Sequence, residues 1–169
     1  VAQNNKQLIN SAKPLSFGLF LFVGFSIVLL AYSFTVDDFS VKYIANHSNS
    51  LLPYYFKISA VWGGHEGSML LWIFALTVWT FAVSIHSKQL EKEFVARVLA
   101  IMGMIAVGFI FFTLLTSNPF ERLLPNFPME GQDLNPLLQD IGLIIHPPFL
   151  YMGYVGFSVA FAFAIAALL

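Results

Sequence analysis

Ile145-His146-Pro147-Pro148-Phe149 sets an imidazole at the mouth of an apolar run that continues to Leu169. A neutral imidazole nitrogen is a good metal ligand. The residue before a proline is pushed away from the α region, and a proline suits the first turn of a helix. The pattern therefore predicts that His146 lies just before a helix, with Pro148 in the first turn. The ring would then stand where water meets lipid. Its neighbours Ile144, Ile145 and Phe149 are apolar, so few local groups compete for it. The plain alternative is a structural histidine at a helix start.

Three other places hold groups that can do chemistry. Trp62-Gly63-Gly64-His65-Glu66-Gly67-Ser68 runs straight into a second apolar run. Its glycines offer left-handed conformations and close approach. His65 and Glu66 are candidates for a supporting role beside a metal, or polar groups that merely tie down a turn. The zinc-protease pattern of two histidines four apart is absent, because Met69 stands at the second position. Arg122, in Asn118-Pro119-Phe120-Glu121-Arg122, pairs by default with Glu121 or another loop carboxylate. Its fork equally suits a ligand carboxylate such as a haem propionate. His47 reads as a solvated loop residue in Asn46-His47-Ser48-Asn49-Ser50, and His86 as an interface residue.

The elements that position these groups are helices in lipid. The chain has 169 residues, of which 58% are hydrophobic and only 10% charged, against roughly 25% charged in soluble domains. Four runs, Leu15–Phe34, Ser68–Ile85, Val98–Thr116 and Phe149–Leu169, contain no Asp, Glu, Lys, Arg or His. Each is close to the ~20 residues that cross a ~30 Å hydrocarbon core. The expected fold is all-α: a polytopic integral membrane protein with four transmembrane helices and two long outer-face loops. With no cysteine, disulfides and thiolate metal sites are excluded. A net charge of −1 gives no reason to expect nucleic acid. No cleavable leader is visible, since the polar stretch Val1–Lys13 precedes the first run. Val1 at one end and Leu169 inside an apolar run at the other suggest a segment of a larger protein.

Lysine and arginine set the expected orientation. The N-terminal stretch and residues 86–97 hold five of them; residues 35–67 and 117–148 hold three. Basic loops stay cytoplasmic, which places both long loops, with His47, His65 and His146, on the outer face. Within the third loop, Asn135 suits an N-cap, Pro136 a first helical position and Gly142 a C-terminal cap. Leu134, Leu137, Leu138 and Ile141 fall at helical spacing. A short amphipathic helix over Pro136–Ile141, lying in the membrane interface, is the expectation; a packed turn is the alternative. Gly156, Ala160 and Ala164 form a small-residue ridge that permits close helix packing.

The chain closely resembles the CcmF family, the membrane component of cytochrome c haem lyase, with its NrfE paralogues. The motifs that carry the resemblance are Ala45-Asn46-His47-Ser48-Asn49, Trp62-Gly63-Gly64-His65-Glu66-Gly67-Ser68, Leu115-Thr116-Ser117-Asn118-Pro119-Phe120, Asp133-Leu134-Asn135-Pro136-Leu137-Leu138-Gln139-Asp140 and His146-Pro147-Pro148-Phe149-Leu150-Tyr151-Met152-Gly153-Tyr154. They lie in order across nearly the whole chain, which would make residues 1–169 the N-terminal part of a multi-span haem-lyase domain. The resemblance implies haem as cofactor and His146 as an outer-face ligand of its iron. It also implies a haem chaperone, other maturation subunits and apocytochrome c as partners, in the bacterial inner membrane. The family's tryptophan-rich haem segment and second outer-face histidine match nothing in these 169 residues. Thiols for the ligation would come from apocytochrome c, in keeping with the missing cysteine. A transporter or channel subunit is the competing reading; the absence of charge within the four runs speaks against an ion pathway. A purely structural anchor fits the motif-rich loops poorly.

Overall fold

The computed structural model describes residues 6–169, apart from the side chain of Leu143. The first five residues of the polar stretch 1–13 lie outside the described residues. Four long helices carry the chain: α1 (Lys6–Thr35), α4 (His65–His86), α5 (Lys92–Thr116) and α6 (Ile141–Leu168). Two short helices, α2 (Lys42–His47) and α3 (Tyr54–Ser59), lie between α1 and α4. Among the described residues no strand forms; a single antiparallel bridge joins Val41 and Arg122. The shortest long helix, α4, has 22 residues, about 33 Å at 1.5 Å per residue, enough to cross a ~30 Å hydrocarbon core. All four long helices are apolar enough to do so, and the chain is a multi-pass membrane protein.

The helices outrun the apolar stretches that announced them. The helix α1 begins at Lys6 rather than Leu15, and α5 at Lys92 rather than Val98. Hydrophobicity reports where a helix meets lipid. Backbone hydrogen bonding carries the helix on through polar flanks until something caps it.

At α6 the difference changes the placing of His146. The helix starts at Ile141, so His146 lies inside it and not before it. The cause is Asp140, whose carboxylate accepts the Gly142 N–H at 2.7 Å while its carbonyl accepts the Ile144 N–H at 3.1 Å. That is an N-cap, and it starts the helix before the proline rule can act. Pro147 and Pro148 follow inside the helix and withdraw two successive backbone donors.

The same cap shortens the expected interfacial helix. Asn135 does accept from the Leu137 N–H at 3.0 Å, and Pro136 opens the turn. Only one 3-10 turn forms, Pro136–Leu138. Gly142 belongs to the first turn of α6 instead of ending a helix. Leu134 is buried, whereas Leu137 and Ile141 are exposed, so these leucines do not share one covered face.

Two units divide the chain. The first comprises the chain up to Gly24, Trp72–Phe111 and Tyr151–Leu169. Its core includes Leu76, Val98, Met102, Ala106, Val155 and Ala162, all buried. The Phe20 ring stacks on Phe81 and Phe74, with centroids 5.0 and 6.0 Å away. The Trp79 indole N–H donates to the Met152 carbonyl at 2.8 Å. Of the small-residue ridge, only Gly156 packs, beside that indole; Ala160 and Ala164 are exposed. The covered stripe of α6 runs instead through Val155, Ala162 and Ala166. A small-residue spacing shows where close packing is permitted, and the bulky partner, here Trp79, decides which face is used.

The second unit comprises Phe25–Leu71 and Phe112–Leu150, and so contains both long loops. Its core is built on Leu30, Phe34, Val41, Ile44, Val61 and Leu134. The α1 helix ends here with the Asp38 N–H bonded to the Ser33 carbonyl and the Asp37 N–H to that of Phe34. This is the Schellman closure. It puts Asp37 in the left-handed region, φ +54°, where glycine is usual. Asp37 is retained there by an ion pair: Lys57 Nζ lies 2.6 and 2.7 Å from its two carboxylate oxygens, with the lysine side chain only 8% exposed.

Candidate functional site

The glycine-rich turn owes its composition to a tyrosine that the sequence reading did not single out. Tyr43 is buried in α2. Its hydroxyl accepts the Gly64 N–H at 2.8 Å and lies 3.1 Å from the Ala60 carbonyl, to which it donates. Its ring stands edge-on to Phe34, centroids 5.6 Å apart, and packs on His47 at 4.5 Å. Burial, with a smaller contribution from the nearby Glu66 charge, pushes the phenol far above its ordinary pKa. Tyr43 therefore serves as a neutral hydrogen-bonding post.

The glycines let backbone close around that post. A Cβ at Gly64 would lie 2.5 Å from His47 Nε2 and 2.8 Å from the Tyr43 ring. A Cβ at Gly67 would lie 2.6 Å from the Tyr43 hydroxyl and would overlap the Val61 carbonyl oxygen. None of the glycines has positive φ, so close approach, and not left-handed backbone, is what these positions require.

The four histidines separate sharply. His47 is half-buried, with Nδ1 2.8 Å from the Tyr43 carbonyl; it is a packed residue, not the solvated one expected. His65 opens α4 and places Nε2 2.9 Å from the Ser117 hydroxyl, joining the start of α4 to the end of α5. His86 sets Nδ1 2.9 Å from the Ala82 carbonyl one turn back. His146 alone among them makes no hydrogen bond, ion pair or ring contact with the described residues. Its ring is exposed, and so are its apolar neighbours Ile141, Ile145, Phe149 and Leu150, with Phe149 at 74%.

The other candidates stand in the same unit but do not touch His146. Glu66 lies in the first turn of α4, where the helix dipole favours its charge. Arg122 donates to Asp38 Oδ2 at 3.0 Å and to the Ser40 hydroxyl, while Glu121 takes Lys42 at 3.1 Å. The loop carboxylate that Arg122 was expected to find is thus Asp38, not Glu121. Arg122 remains 51% exposed.

The long loops are laced together around these groups. Lys42 N–H donates to the Glu121 carbonyl at 2.9 Å and Leu123 N–H to the Ser40 carbonyl at 2.8 Å. Glu130 accepts from the Ser50 amide and hydroxyl at 2.8 and 2.7 Å, and those bonds hold its carboxyl below the usual range. A Cβ at Gly131 would overlap the Ser48 carbonyl. No sequence signal marks these pairings, because partners some 80 residues apart leave no local pattern.

The donor set can be tested against haem. Among the described residues no three His, Asp or Glu side chains converge to hold a metal ion. Axial ligation asks for one imidazole nitrogen, and the flat faces of the macrocycle ask for apolar surface. An unpartnered imidazole among exposed Ile145, Phe149 and Leu150 meets both requirements. The residues present fit the group.

The chain is similar to known proteins over nearly its whole length. Residues 62–169 match the family described as "Cytochrome C assembly protein". The chain is 62% identical over 167 residues to the cytochrome c-type biogenesis protein CcmF of Pseudomonas aeruginosa, covering 99% of this chain and 25% of that protein. It is 53% identical over 167 residues to the cytochrome c-type biogenesis protein NrfE of Haemophilus influenzae, covering 99% of this chain and 26% of that one. The fold is similar to a solved structure of "Cytochrome c Heme Lyase CcmF", with TM-score 0.81 and 31% identity over 98% of this chain and 25% of that one. The chain spans about a quarter of the length of these relatives. On the strength of that match across residues 62–169 and of the identities over nearly its whole length, the chain belongs to the cytochrome c assembly protein family.

Proposed function

We propose that this chain serves cytochrome c maturation by holding haem at the outer face of the bacterial inner membrane, with His146 as a ligand of the iron. The observation that carries this reading is the contrast among the histidines. Three rings are committed to hydrogen bonds, and His146 is exposed, unpartnered and set in apolar surface. Asp140 fixes the helix start on which the ring is mounted, so the imidazole projects from a rigid element. Arg122, held by Asp38 and still half exposed, has further guanidinium donors for a propionate. His65, tied to Ser117, and Glu66 belong to the surroundings of the site and do not ligate. Haem bound there would supply the vinyl groups for the cysteine thiols of apocytochrome c. This chain's share is to bind and orient, the usual contribution of a protein to cofactor chemistry. A haem chaperone, other maturation subunits and apocytochrome c are the partners this role requires.

Replacing His146 by alanine in the full-length protein is expected to lower haem capture and cytochrome c maturation by about tenfold or more, since a ligand of the iron is lost. Helix content should not change, because the ring packs on nothing. Added imidazole should restore part of the haem spectrum. Unchanged spectra and unchanged maturation would overturn the role of His146. A colourless protein with solute-dependent flux would favour a transporter instead.

The basic residues support an orientation with residues 35–67 and 117–148 in the periplasm. A cysteine at exposed Asn126 is expected to react with an impermeant thiol reagent in intact spheroplasts. Reaction only after lysis reverses the topology.

A further inference from the structure

A basic cavity lies in the first unit, where the apolar parts of α1, α4 and α5 end. It measures about 290 Å³ and is lined by Lys13, Lys88 and Lys92, with Asn10 and Ser87 beside them. Val95, Ala96 and Leu99 belong to the same lining. No described carboxylate lines the cavity. The nearest acids in sequence are Glu91 and Glu93, and Glu93 is paired with Arg97 at 2.7 Å. Among the described residues none of the three lysines has a salt-bridge partner.

The cavity does not stand alone. An apolar groove of about 310 Å³ shares Ala12, Ala96 and Leu99 with it and continues along α1 and α5 past Leu15, Leu19 and Gly103. Three unpaired cations clustered together repel one another and call for an anion. An apolar groove on a membrane-spanning surface calls for a hydrocarbon chain. A soluble anion accounts for the first part only, and a neighbouring apolar helix for the second only. A phospholipid of negative charge accounts for both, since its phosphate and its acyl chain are joined at the spacing of an interface.

We propose that Lys13, Lys88 and Lys92, together with the groove along α1 and α5, form a binding site for an anionic phospholipid. The lysines take the phosphate, and an acyl chain lies past Ala96 and Leu99 toward Gly103. The site lies outside the haem-binding unit and needs none of its residues. Its part is to anchor the basic ends of these helices in the membrane surface.

Native mass spectrometry of the purified protein in mild detergent tests this, with dioleoyl phosphatidylglycerol, dioleoyl phosphatidylcholine and inorganic phosphate as probes. The expected result is retention of phosphatidylglycerol with about tenfold or greater preference over phosphatidylcholine, as a few lysines at a membrane surface provide. The triple variant Lys13→Gln, Lys88→Gln, Lys92→Gln should lose the preference. A Cβ at Gly103 meets nothing within 4 Å, so Gly103→Leu should fold, fill the groove and weaken phosphatidylglycerol binding with the lysines intact. Circular dichroism of each variant verifies the helices. Equal retention of the two lipids overturns the proposal, as does a preference that survives the triple substitution. Full displacement of phosphatidylglycerol by millimolar inorganic phosphate points to a soluble anion and also overturns it. Normal lipid binding by Gly103→Leu rejects the groove.

Discussion

Alanine at Gly67 should open the loop unit. In an ordinary helix a glycine-to-alanine change stabilises by about 1 kcal/mol. Here the added Cβ overlaps the Val61 carbonyl oxygen and comes within 2.6 Å of the Tyr43 hydroxyl. The first neighbour is backbone and cannot turn aside. Relief requires α4 to withdraw from the turn at Ala60–Trp62, which breaks the Gly64 N–H bond to Tyr43 and leaves that part-buried donor unmet. Overpacking and an unmet buried polar group together give a loss of about 4 kcal/mol. Hydrogen exchange in peptides covering residues 38–64 should then quicken by about a thousandfold, at one decade per 1.4 kcal/mol. Gly103→Ala, which meets open space, is the control and should leave exchange unaltered. If Gly67→Ala stays within about threefold of the parent, the contact at Val61 yields freely and the account given for this glycine is wrong.

The second large effect belongs to Asp37. Asparagine tolerates the left-handed backbone as well as aspartate does, so Asp37→Asn leaves the Schellman closure intact. What it removes is the counter-charge of Lys57, whose side chain is 8% exposed. Leaving a buried cation unpaired costs about 3 kcal/mol, the low end of the range, because Asp37 itself is 26% exposed. The double variant Asp37→Asn, Lys57→Met should regain most of the loss, since an apolar chain needs no partner. Thermal unfolding in mild detergent, read as a double-mutant cycle, measures the coupling. A cost below about 0.5 kcal/mol for Asp37→Asn alone, or no recovery in the double variant, would show that water reaches the ammonium and that the pair is a surface feature.

What was legible in the sequence follows from what is local. The four spans could be read because twenty apolar residues in a row have few other uses. Their ends could not, because Lys6 and Lys92 are helical without being apolar. His146 was found by its neighbours but set outside its helix. Two local rules conflicted there, and the Asp140 cap prevailed over the proline that disfavours helix before it. In Trp62–Ser68 the need for close approach was visible and its object was not. Tyr43 lies 21 residues upstream of Gly64 and looks like any aromatic beside apolar residues. Lys57 was equally hidden: a lysine between Phe56 and Ile58 carries no mark of the aspartate it will meet. The pairing of Arg122 was half readable, as a loop carboxylate, but the choice of Asp38 over the adjacent Glu121 depends on the Val41–Arg122 bridge.

The lacing of the two long loops sets an order of assembly. Lys42–Glu121, Asp38–Arg122 and Ser50–Glu130 are separated by 79 to 84 residues. During synthesis at about 5–20 residues per second, the earlier loop waits roughly 4 to 16 s for its counterpart. Through that interval it has only its own short-range contacts: Asp37 with Lys57 across 20 residues, and Tyr43 with Ala60 across 17. These nearby closures cost less chain entropy than the distant ones. The ion pair and the tyrosine post are thus the closures the first loop can make from its own residues, and the lacing to the later loop can only follow them.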